Sequence, residues 1–189
     1  MTVYDFDTML AYSRGVRERT DLDTILALID GCTDVSKTDT ATDRAGVDYV
    51  ATLRGGARVL IDAKARTPGC SRYWKHGPEL ALEVWSVLPD RDKRQAGKVG
   101  WTLSESSGVH YILFTFDPAD TPAVFLYPFQ LLRMAFRRNL KTWQKGYKVD
   151  KQNSGQWRSE CVFVPESVVW DGIYQAMRQQ SPFYKRAAD

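Results

Sequence analysis

Histidine and cysteine are scarce in this chain: two histidines and three cysteines in 189 residues. Cys32, Cys70 and Cys161 are odd in number, far apart and in no C-x-x-C arrangement, which excludes the usual zinc frameworks and a secreted disulfide scaffold. Apolar runs of membrane-spanning length are also missing, and Met1–Asp7 lacks the basic and apolar regions of a signal peptide. The expectation is a cytoplasmic protein with no membrane association. Charge of one sign does not dominate: 26 Lys and Arg face 23 Asp and Glu, for a net charge of +3. No internal repeat or low-complexity tract breaks the chain. With 43% hydrophobic residues, it can bury a core without metal or disulfide staples, so a single domain over residues 1–189 is expected.

Two short segments carry the most information. Residues 47 to 53 (Val-Asp-Tyr-Val-Ala-Thr-Leu) and 58 to 65 (Arg-Val-Leu-Ile-Asp-Ala-Lys-Ala) have the alternation and β-branched content of strands. Odd positions carry Val47, Tyr49, Ala51, Leu53, Val59, Ile61, Ala63 and Ala65, and form the core face. Even positions carry Asp48, Thr52, Arg58, Asp62 and Lys64. Residues opposed in an antiparallel pair point to the same side, so burying both odd faces requires partners of like parity and an odd-numbered loop. A two-residue Gly55-Gly56 turn would set Asp48 against Ala63. A three-residue loop, Arg54-Gly55-Gly56, sets Asp48 against Asp62 and supplies glycine for a left-handed position.

That register brings two carboxylates and an amine to one face. Like charges across a strand pair repel unless a cation intervenes, and Mg²⁺ (or Mn²⁺) suits one or two carboxylates with several waters. Lys64 would orient or help deprotonate a water and balance charge in a transition state. The plainer reading is a solvated polar face on which Asp62 pairs with Arg58 or Lys64.

Gly46-Val-Asp-Tyr-Val-Ala51, a glycine turn and Val59-Leu-Ile-Asp-Ala-Lys-Ala-Arg66 resemble the core of the PD-(D/E)XK nuclease superfamily, in the style of archaeal Holliday-junction resolvases and other restriction-like nucleases. The close likeness covers residues 46 to 66, and element order matches loosely over about 20 to 117. The resemblance implies an α/β fold with a restriction-endonuclease-like mixed β-sheet flanked by helices. It also implies that Asp48 and Asp62 are the motif's acids and Lys64 its lysine. Valine stands where proline often precedes the first acid, and aspartate where glutamate is commoner at the second. The superfamily often adds an acid from the preceding helix, for which Glu18, Asp21 and Asp23 are candidates. Ser159–Pro165 resembles uncharacterised bacteriophage proteins, which implies no function.

Glu83 lies in the apolar segment 80–87, where a charge needs a partner or a site. If the segment is a strand beside the hairpin, Glu83 completes the carboxylate cluster as a third metal ligand and catalytic acid. If it is a helix, Glu79 and Glu83 share a solvent face.

The basic excess is local: residues 133 to 158 hold eight Lys or Arg against one acid, Asp150. Arg133, Arg137, Lys141 and Lys145 recur every four residues beside a stripe of Leu132, Phe136, Leu140, Trp143 and Tyr147, which predicts an amphipathic helix with a cationic ridge for DNA phosphates. A solvated helix face is the bland explanation. A second basic run comprises Arg91, Lys93, Arg94 and Lys98. Elsewhere the pattern predicts a helix from an N-cap at Thr20 to Gly31, a loop over 32–45, strands over 110–116, 123–127 and 161–164, and a closing helix over 166–179. His76 reads as a surface residue.

Two functions follow. One is a Mg²⁺-dependent deoxyribonuclease acting on DNA, branched or single-stranded forms included, with a homodimer conceivable for a symmetric substrate. The other is a catalytically inactive nuclease-fold protein that binds nucleic acid or protein as an accessory or inhibitor.

Overall fold

The computed structural model describes residues 22–39, 46–66, 69–90, 94–105, 108–116, 123–153 and 158–180, with Ala11 and Gly15. Their elements run α1 (Leu22–Leu28), β1 (Cys32–Lys37), β2 (Tyr49–Leu53), β3 (Arg58–Ala65), a 3₁₀ turn (Cys70–Tyr73), β4 (Glu79–Val87), β5 (Lys98–Val99) and β6 (Tyr111–Thr115). After these come β7 (Val124–Pro128), α2 (Phe129–Gly146), β8 (Val149–Asn153), β9 (Arg158–Pro165) and α3 (Glu166–Gln180). The mixed α/β character expected from the sequence is present. The chain divides into two compact units, each with its own sheet.

The first unit holds a five-stranded sheet of order β1-β2-β3-β6-β7. Its hairpin has the expected register: Tyr49 faces Ile61, Ala51 faces Val59 and Thr52 faces Arg58, all partners of like parity. The Leu53 amide donates to the Ala57 carbonyl at 2.8 Å, which leaves Arg54, Gly55 and Gly56 as the three-residue loop. Gly55 and Gly56 have φ of 90° and 84°. Side chains rarely adopt that region, so Gly55→Ala is expected to cost about 1–2 kcal/mol in urea unfolding. An unchanged midpoint would contradict the strained turn.

The odd face is the core face. Tyr49, Ala51, Val59 and Ile61 cluster with Leu113 of β6, Val35 of β1 and Ile25 and Ile29 of the first helical segment. Residues 32–45 were expected to be a loop, but 32–37 form β1, antiparallel to β2; residues 40–45 and Thr20 lie outside the described residues. Polar Cys-Thr-Asp-Val-Ser-Lys reads as a loop because an edge strand exposes most of its side chains, and only Val35 here is buried. β3 pairs parallel with β6, and a parallel pair needs a crossover. The connection contains β4 and β5, which belong to the other sheet.

The second unit holds the four-stranded antiparallel sheet β5-β4-β9-β8 with α2 from Gln130 onward and α3. Leu80 faces Val164 and Leu82 faces Val162, and all four are fully buried, as are Leu132, Phe136, Val169 and Ile173 of the helices. β4 settles the ambiguity of residues 80–87: it is a strand. It is not beside the hairpin, because β3 is flanked by β2 and β6. Strands β5 and β8 escaped the pattern reading: β5 is two residues long, and Val-Asp-Lys-Gln-Asn of β8 is polar, as an edge strand is.

Candidate active site

Asp48 sits one residue before β2, where the regular ladder ends. Its amide donates to the Ile61 carbonyl at 2.9 Å, and its Oδ2 accepts the Ala63 amide at 2.6 Å. Asp48 therefore grips β3 on both sides of Asp62. Thr38 fixes the other side of this junction: its amide donates to the Asp48 carbonyl at 3.0 Å, and its hydroxyl donates to the Val47 carbonyl. Asp62 and Lys64 stand two apart on β3, hence on one side of the sheet, and Lys64 Nζ lies 2.8 Å from Asp62 Oδ1. Asp62 and Lys64 thus pair on one side of β3, and Asp48 reaches the strand between them through the Ala63 amide. The lysine partner of the plainer reading is realised as well.

This face is not the open polar surface that alternation suggested. Asp48 is 9% and Asp62 7% exposed, while the Lys64 side chain keeps 30% exposure. The cause lies in the next strand: Asp62 is opposite Ile112 and Lys64 opposite Phe114, and both neighbours are buried. The Phe114 ring meets Tyr127 edge-on at 6.1 Å. An apolar flank weakens solvent screening, so charges here interact more strongly than on an open sheet. Formally, two carboxylates and one ammonium sum to a net negative charge, which favours a cation. Hard oxygen ligands with room for water suit Mg²⁺ or Mn²⁺ better than a soft metal.

Glu83 does not extend this cluster through the sheet. Its strand belongs to the other unit, and its Oε2 accepts the Ser86 hydroxyl at 2.6 Å and the Trp101 amide at 3.0 Å. Its place in an apolar segment was a fair signal for a constrained acid, but the partners are local. Among the described residues, no three of His, Cys, Asp and Glu are grouped so as to hold a metal ion. Glu18 and Asp21 lie outside the described residues, and Asp23 is in the first turn of α1. Sequence reasoning missed Thr38, hidden in the supposed loop.

The predicted amphipathic helix is present as α2, with Leu132, Phe136 and Trp143 buried. Its cationic ridge is interrupted. Arg133 Nη1 donates to the Ser104 carbonyl at 2.7 Å, and Arg137 Nη2 donates to the Leu103 carbonyl at 3.1 Å and to Glu105 at 2.8 Å. These arginines hold the turn after β5; Arg133 is half-buried, while Arg137, Lys141 and Lys145 are exposed. In the second basic run, Arg94 and Lys98 are exposed, and Arg91 and Lys93 lie outside the described residues.

The hydrogen bond from Arg137, and then its charge, holds the Glu105 carboxyl below the usual glutamate range. A depressed carboxyl stabilises the fold above its unfolded pKa and loses that contribution as pH falls through the folded value. An NMR titration of Arg137→Ala should therefore find the Glu105 midpoint raised toward the ordinary value. An unmoved midpoint would remove Arg137 as the cause.

No family model matches the chain, and none of the curated proteins or solved structures matches it either. Among the described residues, no helix is long and apolar enough to cross a membrane.

Proposed function

We propose that the protein is a metal-dependent deoxyribonuclease whose site is built from Asp48, Asp62 and Lys64. The observation that carries the reading is the grip of Asp48 on β3: one nearly buried carboxylate is bonded to the amide that follows a second, and the second meets the lysine at 2.8 Å. A polar face made only for solvent needs none of that burial. Further support comes from the order of helix, antiparallel β1-β2-β3 and parallel β6, which falls within the residues whose element order resembles restriction-like nucleases.

In this reading Asp48 and Asp62 hold Mg²⁺. Bound there, the ion would supply Lewis-acid polarisation of a phosphodiester and acidify a water. The chain's own groups do the rest. The Ala63 amide fixes one Asp48 oxygen and so orients the other. Lys64, the most exposed of the three groups, exchanges its bond with Asp62 for one to a phosphate oxygen or to the attacking water.

The test is incubation of the purified protein with branched, single-stranded and duplex DNA in Mg²⁺ or Mn²⁺. Metal-dependent cleavage is expected, and its absence on every substrate would sink the proposal. The second reading, a nuclease-fold binding protein without turnover, is favoured by the closed Asp62–Lys64 pair and by the local commitments of Glu83. It expects binding with no cleavage under the same conditions.

A further inference from the structure

The second unit carries an unusual stack outside the acid cluster. Lys148 Nζ lies 5.3 Å from the centroid of the Tyr73 ring and 5.4 Å from that of Phe163. Phe163 is buried in β9, whereas Tyr73, at the end of the 3₁₀ turn, is 57% exposed. The Lys148 backbone is fixed by the Phe163 amide, which donates to its carbonyl at 2.9 Å. An ammonium within reach of two rings gains cation–π attraction with both, so a buried ring and a largely exposed ring share one cation. Lys148 also meets Asp150 at 3.8 Å, a distance and exposure at which the pair is weak.

The chain around Tyr73 carries charge of one sign. Arg72 precedes Tyr73 and Lys75 follows it, both exposed, and no Asp or Glu occurs between residues 66 and 78. An exposed aromatic ring held by a cation and flanked by cations is complementary to a polyanion that also presents flat apolar faces. Only unpaired bases do so, because duplex bases are stacked on one another. We propose that Tyr73, supported by Lys148, is a stacking platform for single-stranded nucleic acid. Tyr73 takes a base, and Lys75 and Lys148 take the adjoining phosphates. None of these residues belongs to the acid cluster, so the platform stands or falls separately from nuclease activity.

The test uses the full chain in EDTA, so that binding is read without cleavage. Fluorescence anisotropy would follow a labelled oligothymidine, the matching duplex and heparin. For Tyr73→Ala the expected result is single-strand affinity roughly 5- to 150-fold weaker, with duplex and heparin affinities unchanged. Tyr73→Trp is expected to restore single-strand binding, with quenching of tryptophan fluorescence beyond that of the wild type. Single-strand affinity equal to wild type in Tyr73→Ala would overturn the proposal. So would an equal loss on all three probes, which would make the surface a general polyanion site. A Tyr73→Trp variant that binds poorly or shows no added quenching would also overturn it. If no DNA is cleaved in Mg²⁺ while single-strand binding still depends on Tyr73, the nuclease reading fails and the platform remains.

Discussion

Asp62→Asn will reduce Mg²⁺-dependent DNA cleavage by about 10²- to 10³-fold while leaving the fold intact. Asparagine keeps the volume and an oxygen that Lys64 can bond at the position where Asp62 Oδ1 now sits. What it removes is the charge. With Asp48 alone opposing Lys64, the cluster is formally neutral and loses its attraction for a dication. Lys64 is partly exposed and can be solvated, so the unfolding midpoint should barely move. Asp48 separates chemistry from structure in a complementary way. Asp48→Asn retains an acceptor for the Ala63 amide and should lose cleavage without losing stability. Asp48→Ala leaves that amide unpaired in β3 and should lose cleavage plus about 1–3 kcal/mol. Cleavage rates and urea unfolding on the three variants read both effects. Wild-type cleavage by Asp62→Asn would remove Asp62 from the site.

Gly100→Ala will destabilise the second unit by about 3 kcal/mol. A Cβ at this position would lie 2.2 Å from the Glu83 carbonyl oxygen and 2.5 Å from its carbonyl carbon. Those are backbone atoms and cannot rotate away. Relief requires β5 to move from β4, which breaks the bond from the Gly100 amide to the Val84 carbonyl at 2.9 Å and that from the Trp101 amide to Glu83 at 3.0 Å. Gly108→Ala is the control, since a Cβ there meets nothing within 4 Å, and its effect should stay within about 0.5 kcal/mol. Equal midpoints for the two variants would show that β4 and β5 do not pack this closely.

The hairpin register was legible in the sequence because one physical requirement determines it. Side chains alternate along a strand, and only like-parity pairing buries Tyr49, Ala51, Val59 and Ile61 together. Asp62 and Lys64 then share a face as a by-product of core burial. The same logic fails at strands that bury little, which is why polar β1 and β8 gave no signal. The ridge of α2 shows another limit: four-residue spacing places cations on one side of a helix, but the carbonyls of Leu103 and Ser104, some thirty residues away in the chain, occupy Arg133 and Arg137.

Sequence alone thus determined which residues of the hairpin face each other, since that rests on the two-residue period of a strand. Tertiary structure decided that the acid face is flanked by Ile112 and Phe114, because β6 reaches β3 only through a long crossover. It likewise decided that Glu83 lies on another sheet and that Tyr73 stands over Lys148. Those pairings join segments distant in the chain, and local patterning holds no record of which distant surfaces bury one another.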